Sequence, residues 1–257
     1  MLKHYPLIKM RAGTTHQWGP RTSDTELNYK ETTVFGPNLY NPSDIEYKFN
    51  THGFRCDEFD LSTELPILFI GCSVTEGVGI KQHETWAYQL LTNIRNKTGK
   101  NIPYWNIALA GHGVDTNANC LHWFINNITR PKFIFAHLPP FTRREFSFES
   151  DMIDAWAPWF LNKNVDHIFT DTFFEKHQAR RSMMLIESIQ RVCNATMFCS
   201  TWSTDIKDHD IIKEFSDILY VEYKTEVVDL GRDNVHIGPV THDNITDYMW
   251  AASEQYF

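Results

Sequence analysis

The stretch Ile67-Leu68-Phe69-Ile70-Gly71-Cys72-Ser73-Val74-Thr75-Glu76-Gly77-Val78-Gly79 decides the fold. Its four leading apolar residues form a run too short for a helix and bounded by glycine, which reads as a strand buried on both faces. Gly71 lets the chain turn sharply, so Ser73 can project its hydroxyl beyond the carboxyl end of that strand, where ligands sit in parallel sheets. The turn is not the G-x-S-x-G elbow of the α/β-hydrolases, because Thr75 stands where that motif needs glycine. Nor is it a phosphate loop, since both the GKS/T ending and the G-x-G-x-x-G spacing are missing. By itself the segment also fits a solvent-facing serine in a βα loop.

Further short apolar runs read as strands at 104–108, 133–137, 197–199 and 226–230. Between them lie helical patterns. Residues 84–96 place Trp86, Ala87, Leu90, Leu91 and Ile94 on one stripe, and 116–128, 175–192, 208–219 and 243–256 show the same periodicity. This alternation predicts an α/β fold, a three-layer flavodoxin-like parallel sheet over 61–257. Residues 1–60 differ in texture. They are rich in Thr, Asn, Pro and Gly, with Trp18, Tyr29, Phe35, Tyr40, Tyr47, Phe49 and Phe54 spaced among them, which predicts an extended arm packed on the main domain.

Composition narrows the function classes. The 257 residues carry 24 Lys+Arg against 32 Asp+Glu, a formal charge of −8, and no basic run longer than Arg143-Arg144 or Arg180-Arg181, so no basic footprint exists for nucleic acid. The five cysteines are odd in number and form no C-x-x-C pair, which suits reduced packing thiols. No apolar run suggests a signal peptide or membrane span, so a soluble cytoplasmic protein is expected; a viral particle component folded in a host cytoplasm fits the same features. Twelve histidines show no H-E-x-x-H or ligand-spaced cluster, and Asp208-His209-Asp210 reads as a charged helix start, so neither metal nor cofactor is expected. The aromatic segment 146–174 suits a lid, a sugar platform, a satellite core or an oligomer contact alike.

The chemistry-bearing partner of Ser73 lies near the C-terminus. In Gly231-Arg232-Asp233-Asn234-Val235-His236-Ile237-Gly238-Pro239, a turn bounded by glycine and proline separates Asp233 from His236 by three residues. They can lie side by side, the carboxylate orienting the imidazole and stabilising its protonated form. A serine hydroxyl needs such a base to act as a nucleophile near neutral pH. Each residue alone also fits an ordinary turn; together with Ser73 they compose a triad.

These residues resemble the SGNH/GDSL hydrolases. Gly71-Cys72-Ser73 with Thr75 and Gly77 is similar to the family's GDSxTxG block, Asp233-x-x-His236 to its last block, and Asn106-Ile107-Ala108-Leu109-Ala110-Gly111 to the block whose glycine N–H serves the oxyanion hole. Residues 47–55, ending Asn50-Thr51-His52-Gly53-Phe54-Arg55, look like the N-x-x-G-F-R lead-in of longer members. The resemblance implies a serine esterase acting through an acyl-enzyme at Ser73 on a small-molecule or carbohydrate ester, with Asp233 and His236 completing the catalytic set. It also implies an oxyanion hole from the N–H groups of Ser73 and Gly111. Two departures stand out. Cys72 replaces the aspartate of GDS and offers a thiol next to the expected nucleophile. The asparagine of the GxND block is missing after strand 133–137, where His137-Leu138-Pro139-Pro140-Phe141-Thr142-Arg143 stands instead. His137, Thr142 and Arg143 are the candidate substitute donors, although Arg143 could equally pair with Glu145 or Glu149. An acyltransferase of the same fold, or a glycan-binding or structural module with a decayed site, are the alternative readings. No oligomeric state is implied.

Overall fold

The computed structural model describes residues 6–32, 39–148, 152–156, 172–223 and 226–257. The N-terminal part contributes α1 (Pro6–Arg11), β1 (Thr15–His16), α2 (Glu26–Thr32) and β2 (Tyr47–Lys48), with β1 and β2 paired antiparallel. The main body begins with β3 (Ile67–Gly71), the short α3 (Ser73–Glu76), α4 (Trp86–Thr98), β4 (Trp105–Asn106), α5 (Val114–Asn127) and β5 (Phe133–Leu138). An antiparallel pair, β6 (Arg144–Phe148) and β7 (Met152–Trp156), precedes α6 (Thr172–Cys193). The chain closes with β8 (Thr196–Thr201), α7 (Ile206–Lys213), β9 (Ile218–Tyr220) and α8 (Pro239–Ser253).

Five parallel strands form one sheet in the order β4-β3-β5-β8-β9. The chain therefore moves outward in one direction from β3 to β4 and then returns to lay β5 on the other side of β3. That reversal opens a crevice beyond the carboxyl ends of β3 and β5. Every residue of β3 and β5 is buried, as expected when helices cover both faces. On one face Phe69, Phe135 and Phe198 stand in register across three neighbouring strands, stacked at centroid distances of 5.6 and 5.1 Å. Trp86 of α4 meets Phe69 edge-on, and Phe257 tilts over Phe133. Burying each such ring contributes about 1.5–3 kcal/mol, so this row fixes the register on which the site depends. α4 packs with α8 and α5 with α6, completing the layers.

Three elements differ from the sequence reading. The fifth strand is 218–220, not 226–230, and the helix predicted over 208–219 ends at Lys213. Ile211, Ile212, Phe215, Ile218 and Leu219 continue a helical period, but Phe215 and Ile218 close successive tight turns, onto Ile212 O and Phe215 O, that release the chain to pair Ile218 with Met197. In 226–230 the backbone is claimed by side chains instead of a ladder. Thr241 Oγ1 accepts the N–H groups of Val228 and Asp229, while the Asp229 carboxylate accepts those of Val240 and Thr241 at the start of α8. Only an isolated bridge from Leu230 to Ile237 remains. Strand β4 is likewise shorter than 104–108, because Asn106 Oδ1 takes the Ala108 N–H and turns the chain away. The aromatic segment 146–174 lies largely outside the described residues. Among the described residues, no helix is long and apolar enough to cross a membrane.

The N-terminal part is anchored by buried charge. Arg11 pairs with Glu76 at 3.0 Å, and both side chains are buried. Arg232 forks onto Asp24 through Nε and Nη2, at 2.9 and 2.7 Å, with neither residue exposed. The N-x-x-G-F-R lead-in has a structural task. Asn50 Oδ1 accepts the His52 and Phe54 N–H groups, and the Arg55 guanidinium, 4.2 Å over the Tyr47 ring, donates to the carbonyls of Glu76, Gly77 and Ile80. Arg55 thus caps the carboxyl end of α3, the helix that Ser73 begins.

Candidate active site

Strand β3 ends against a wall. A side chain on Gly71 would place its Cβ 2.1 Å from Thr75 Oγ1 and 2.6 Å from the His137 carbonyl, so only glycine fits beneath the turn. Ser73 follows as the first residue of α3 and is nearly buried. Its carbonyl accepts the N–H groups of Gly77 and Val78, which holds the turn tight. Cys72 is fully buried, and its sulfur accepts the Trp202 indole N–H at 3.2 Å. The Ser73 hydroxyl lies 3.9 Å from that sulfur.

The turn between β9 and α8 brings Asp233 and His236 together. His236 Nδ1 lies 2.6 Å from Asp233 Oδ2, and Asp233 Oδ1 accepts the backbone N–H groups of Val235 and His236. In the neutral ring this bonding places the proton on Nδ1 and leaves Nε2 as an acceptor. Burial alone would push the Asp233 carboxyl up, but the hydrogen bond and charge of His236, with the Ser23 hydroxyl, outweigh it and hold the carboxyl below its ordinary value. The turn is docked on the loop that follows α3. Arg232 N–H donates to the Gly79 carbonyl at 2.7 Å, and a Cβ on Gly79, whose φ is +81°, would sit 2.8 Å from Asp233 Oδ1. Glycine is required there by both backbone and space. Among the described residues no hydrogen bond joins Ser73 Oγ to His236; the structure pairs Asp233 with His236 directly and ties Ser73 to them through this loop.

The loop after β4 is fastened to the serine turn at two points. Asn106 Nδ2 donates to Thr75 O at 2.7 Å, and Glu76 Oε2 accepts the Ala110 N–H at 2.6 Å. Gly111 follows at φ +80°, and its N–H makes no hydrogen bond among the described residues. A Cβ on Gly113 would lie 2.4 Å from the Arg143 carbonyl, so the loop after β5 packs closely here. The Arg143 guanidinium sits 5.0 Å over the Trp202 ring, the same ring that bonds Cys72. Thr142 is half-buried. Glu145 and Glu149 side chains lie outside the described residues.

His137 occupies different surroundings from those expected of an oxyanion donor. It is fully buried on β5, with Nδ1 bonded to Ser200 Oγ at 2.7 Å and its ring edge-on to Trp86 and Tyr223. His242 on α8 is equally buried, and its Nδ1 accepts the Trp86 backbone N–H at 3.1 Å, a bond that protonation would break. Burial pushes both rings down to about 3, with His242 lowered further by neighbouring His137, His236 and Arg55. Both histidines therefore stay neutral in the folded protein while an unfolded chain takes up protons below about 6.5. The folded pKa values are depressed, so stability falls as pH drops through the window from about 6.5 towards 3. Linkage puts the loss near 2 kcal/mol per histidine at pH 5 relative to pH 7. Urea denaturation at the two pH values is expected to show a loss of about 4 kcal/mol, and equal stability at both would contradict neutral burial of the pair.

Several residues at the site carry no sequence motif. Ser23 donates to Asp233 Oδ2 at 2.5 Å and lies 3.2 Å from His236 Nδ1. Asp24, Arg11 and Trp202 brace the turns described above. Among the described residues, no group of three or more His, Cys, Asp or Glu side chains gathers as a metal site.

No protein-family model matches the chain, and no curated protein matches it. Solved structures do. TesA superposes with a TM-score of 0.50 at 12% identity, over 75% of this chain and 99% of that one. A family two carbohydrate esterase from Clostridium thermocellum matches at 0.49 with 15% identity, over 75% and 64%. Axe2, an acetylxylan esterase from Geobacillus stearothermophilus, matches at 0.47 with 9% identity, over 75% and 95%. At these identities the likeness is one of fold alone, and the chain shares its α/β fold with TesA.

Proposed function

We propose that the protein hydrolyses carboxylic esters through an acyl-enzyme on Ser73. The observation that carries this reading is the Asp233–His236 pair, bonded at 2.6 Å and docked through Gly79 onto the loop following the Ser73 turn. In the first half-reaction Ser73 Oγ attacks the ester carbonyl carbon and its proton passes to His236 Nε2, with Asp233 stabilising the imidazolium. The mechanism requires the Ser73 hydroxyl to turn from Cys72 to the base, a tightening expected on substrate binding. The N–H groups of Ser73 and Gly111 receive the oxyanion. Arg143 is the third donor we favour, because its guanidinium is held on Trp202 beside the turn whereas His137 is fully buried within strand β5. His236 then protonates the leaving alkoxide, and water, deprotonated by the same nitrogen, releases the acid.

Cys72 is assigned to packing. A fully buried sulfur that already accepts an indole N–H is poorly placed to attack a substrate. A fluorophosphonate probe tests the assignment. Labelling is expected at Ser73, abolished in Ser73→Ala and retained in Cys72→Ala. Absence of labelling in the native protein, together with measurable glycan binding, would replace the esterase with a binding module. Product analysis in the presence of a sugar acceptor separates hydrolysis from acyl transfer.

A further inference from the structure

The hydrogen-bonded pair at the site is served by a residue more than two hundred positions away in sequence. Ser23 Oγ donates to Asp233 Oδ2 at 2.5 Å, the same oxygen that binds His236 Nδ1, and stands 3.2 Å from that nitrogen. Its placement is not that of a passing surface hydroxyl. The next residue, Asp24, is fully buried and forked onto Arg232, which immediately precedes Asp233. Tyr47 also donates to Asp24, and the Asn28 side chain holds the Ser23 carbonyl at 2.9 Å. Two neighbouring residues of the arm thus engage two neighbouring residues of the turn, Ser23 with Asp233 and Asp24 with Arg232.

We propose that Ser23 is a positioning residue of the active site, a fourth member whose hydroxyl fixes the Asp233 carboxylate and, through it, the His236 imidazole. The inference rests on the esterase reading for its kinetic consequence and on geometry alone for the contact itself. The hydroxyl cannot act as a second nucleophile by way of Nδ1, because that nitrogen carries its proton towards Asp233. What it does is share the negative charge of Oδ2. Without it, the imidazole ring faces the full acceptor strength of the carboxylate and loses one of the atoms that set its plane. Asp24 and Arg232 neutralise each other, and His242 from α8 is held neutral by burial and by the Trp86 N–H.

Ser23→Ala is the test, with Ser23→Thr as the variant that keeps the hydroxyl. In the alanine variant kcat on an aryl ester is expected to fall about tenfold with KM unchanged, because Ser23 does not touch substrate. The acid limb of the pH profile is expected to move to higher pH, since the strengthened carboxylate favours the protonated ring. The downfield proton signal of His236 Nδ1–H, identified by its loss in His236→Ala, is expected to move further downfield in Ser23→Ala and to return in Ser23→Thr. A loss of activity equal at every pH, with the proton signal unmoved, would reduce Ser23 to a packing residue and overturn the proposal. So would a threonine variant no better than alanine while melting at the native temperature. If the native protein hydrolyses no ester, the esterase reading falls, and the proton signal alone still decides whether Ser23 holds the pair.

Discussion

Replacing Ser73 by alanine is expected to lower turnover of a short aryl ester by about 10⁶-fold, the loss that follows when one member of a cooperating nucleophile and base is removed. The size of the effect is what makes it diagnostic. A residue that merely lined the pocket would cost one or two orders of magnitude, and a residual acceleration of about 10³–10⁴ over water is expected from the oxyanion donors alone. The same logic fixes the double variant. Ser73→Ala combined with His236→Ala is expected to be no worse than Ser73→Ala by itself, because in the proposed mechanism the two residues act in one step. Cys72→Ala serves as the contrast. It leaves the Trp202 indole N–H without its sulfur acceptor and is expected to cost about 1–3 kcal/mol of stability while sparing the chemistry. Initial rates on p-nitrophenyl acetate measure all of these. A Ser73→Ala enzyme within tenfold of the native rate would remove Ser73 from the mechanism.

The parts of the fold that were legible in the sequence are those where one physical requirement dominates. The runs 67–70, 133–137 and 197–199 are strands because a sheet covered on both faces accepts continuous apolar residues, and the aromatic positions among them fall in register. The last strand was illegible for a competing reason. Residues 211–219 carry a helical period that tertiary pairing overrides, and 226–230 look like a strand although Asp229 and Thr241 have taken the hydrogen bonds that a ladder would need. At the site, local spacing could bring out Ser73 after a strand and Asp233 beside His236 within one turn. It could not bring out Ser23, because Thr22-Ser23-Asp24 is ordinary turn composition and its partners at the site lie some 210 positions distant. The lead-in ending at Arg55 was readable as a family pattern, but its task of capping α3 became visible only when the guanidinium was found on the carbonyls of Glu76 and Gly77.

The same distance makes Asp24 a vulnerable point of the molecule. Asp24→Ala would leave the fully buried Arg232 guanidinium with the Pro42 and Gln17 carbonyls and the face of Trp18, but without the carboxylate onto which it forks. Breaking a buried pair from one side typically costs about 3–5 kcal/mol, a large share of the 5–15 kcal/mol that roughly bounds the stability of a domain. The damage would not stay local to the pair. Arg232 N–H docks on the Gly79 carbonyl and Asp233 is the next residue, so displacement of the guanidinium unseats the turn that carries Asp233 and His236. Urea denaturation is expected to register the full loss, and ester turnover is expected to fall even under conditions where the variant remains folded. The paired apolar replacement Asp24→Leu with Arg232→Met distinguishes stability from positioning. It removes both charges, and buried pairs exchanged for packed hydrophobic groups commonly recover stability. Recovery of stability without recovery of turnover would mean that the ion pair serves to hold the Asp233–His236 turn in place rather than to stabilise the fold. An Asp24→Ala protein within about 1 kcal/mol of native would instead show that water or a shifted side chain readily replaces the carboxylate, and the arm would lose its claim on the site.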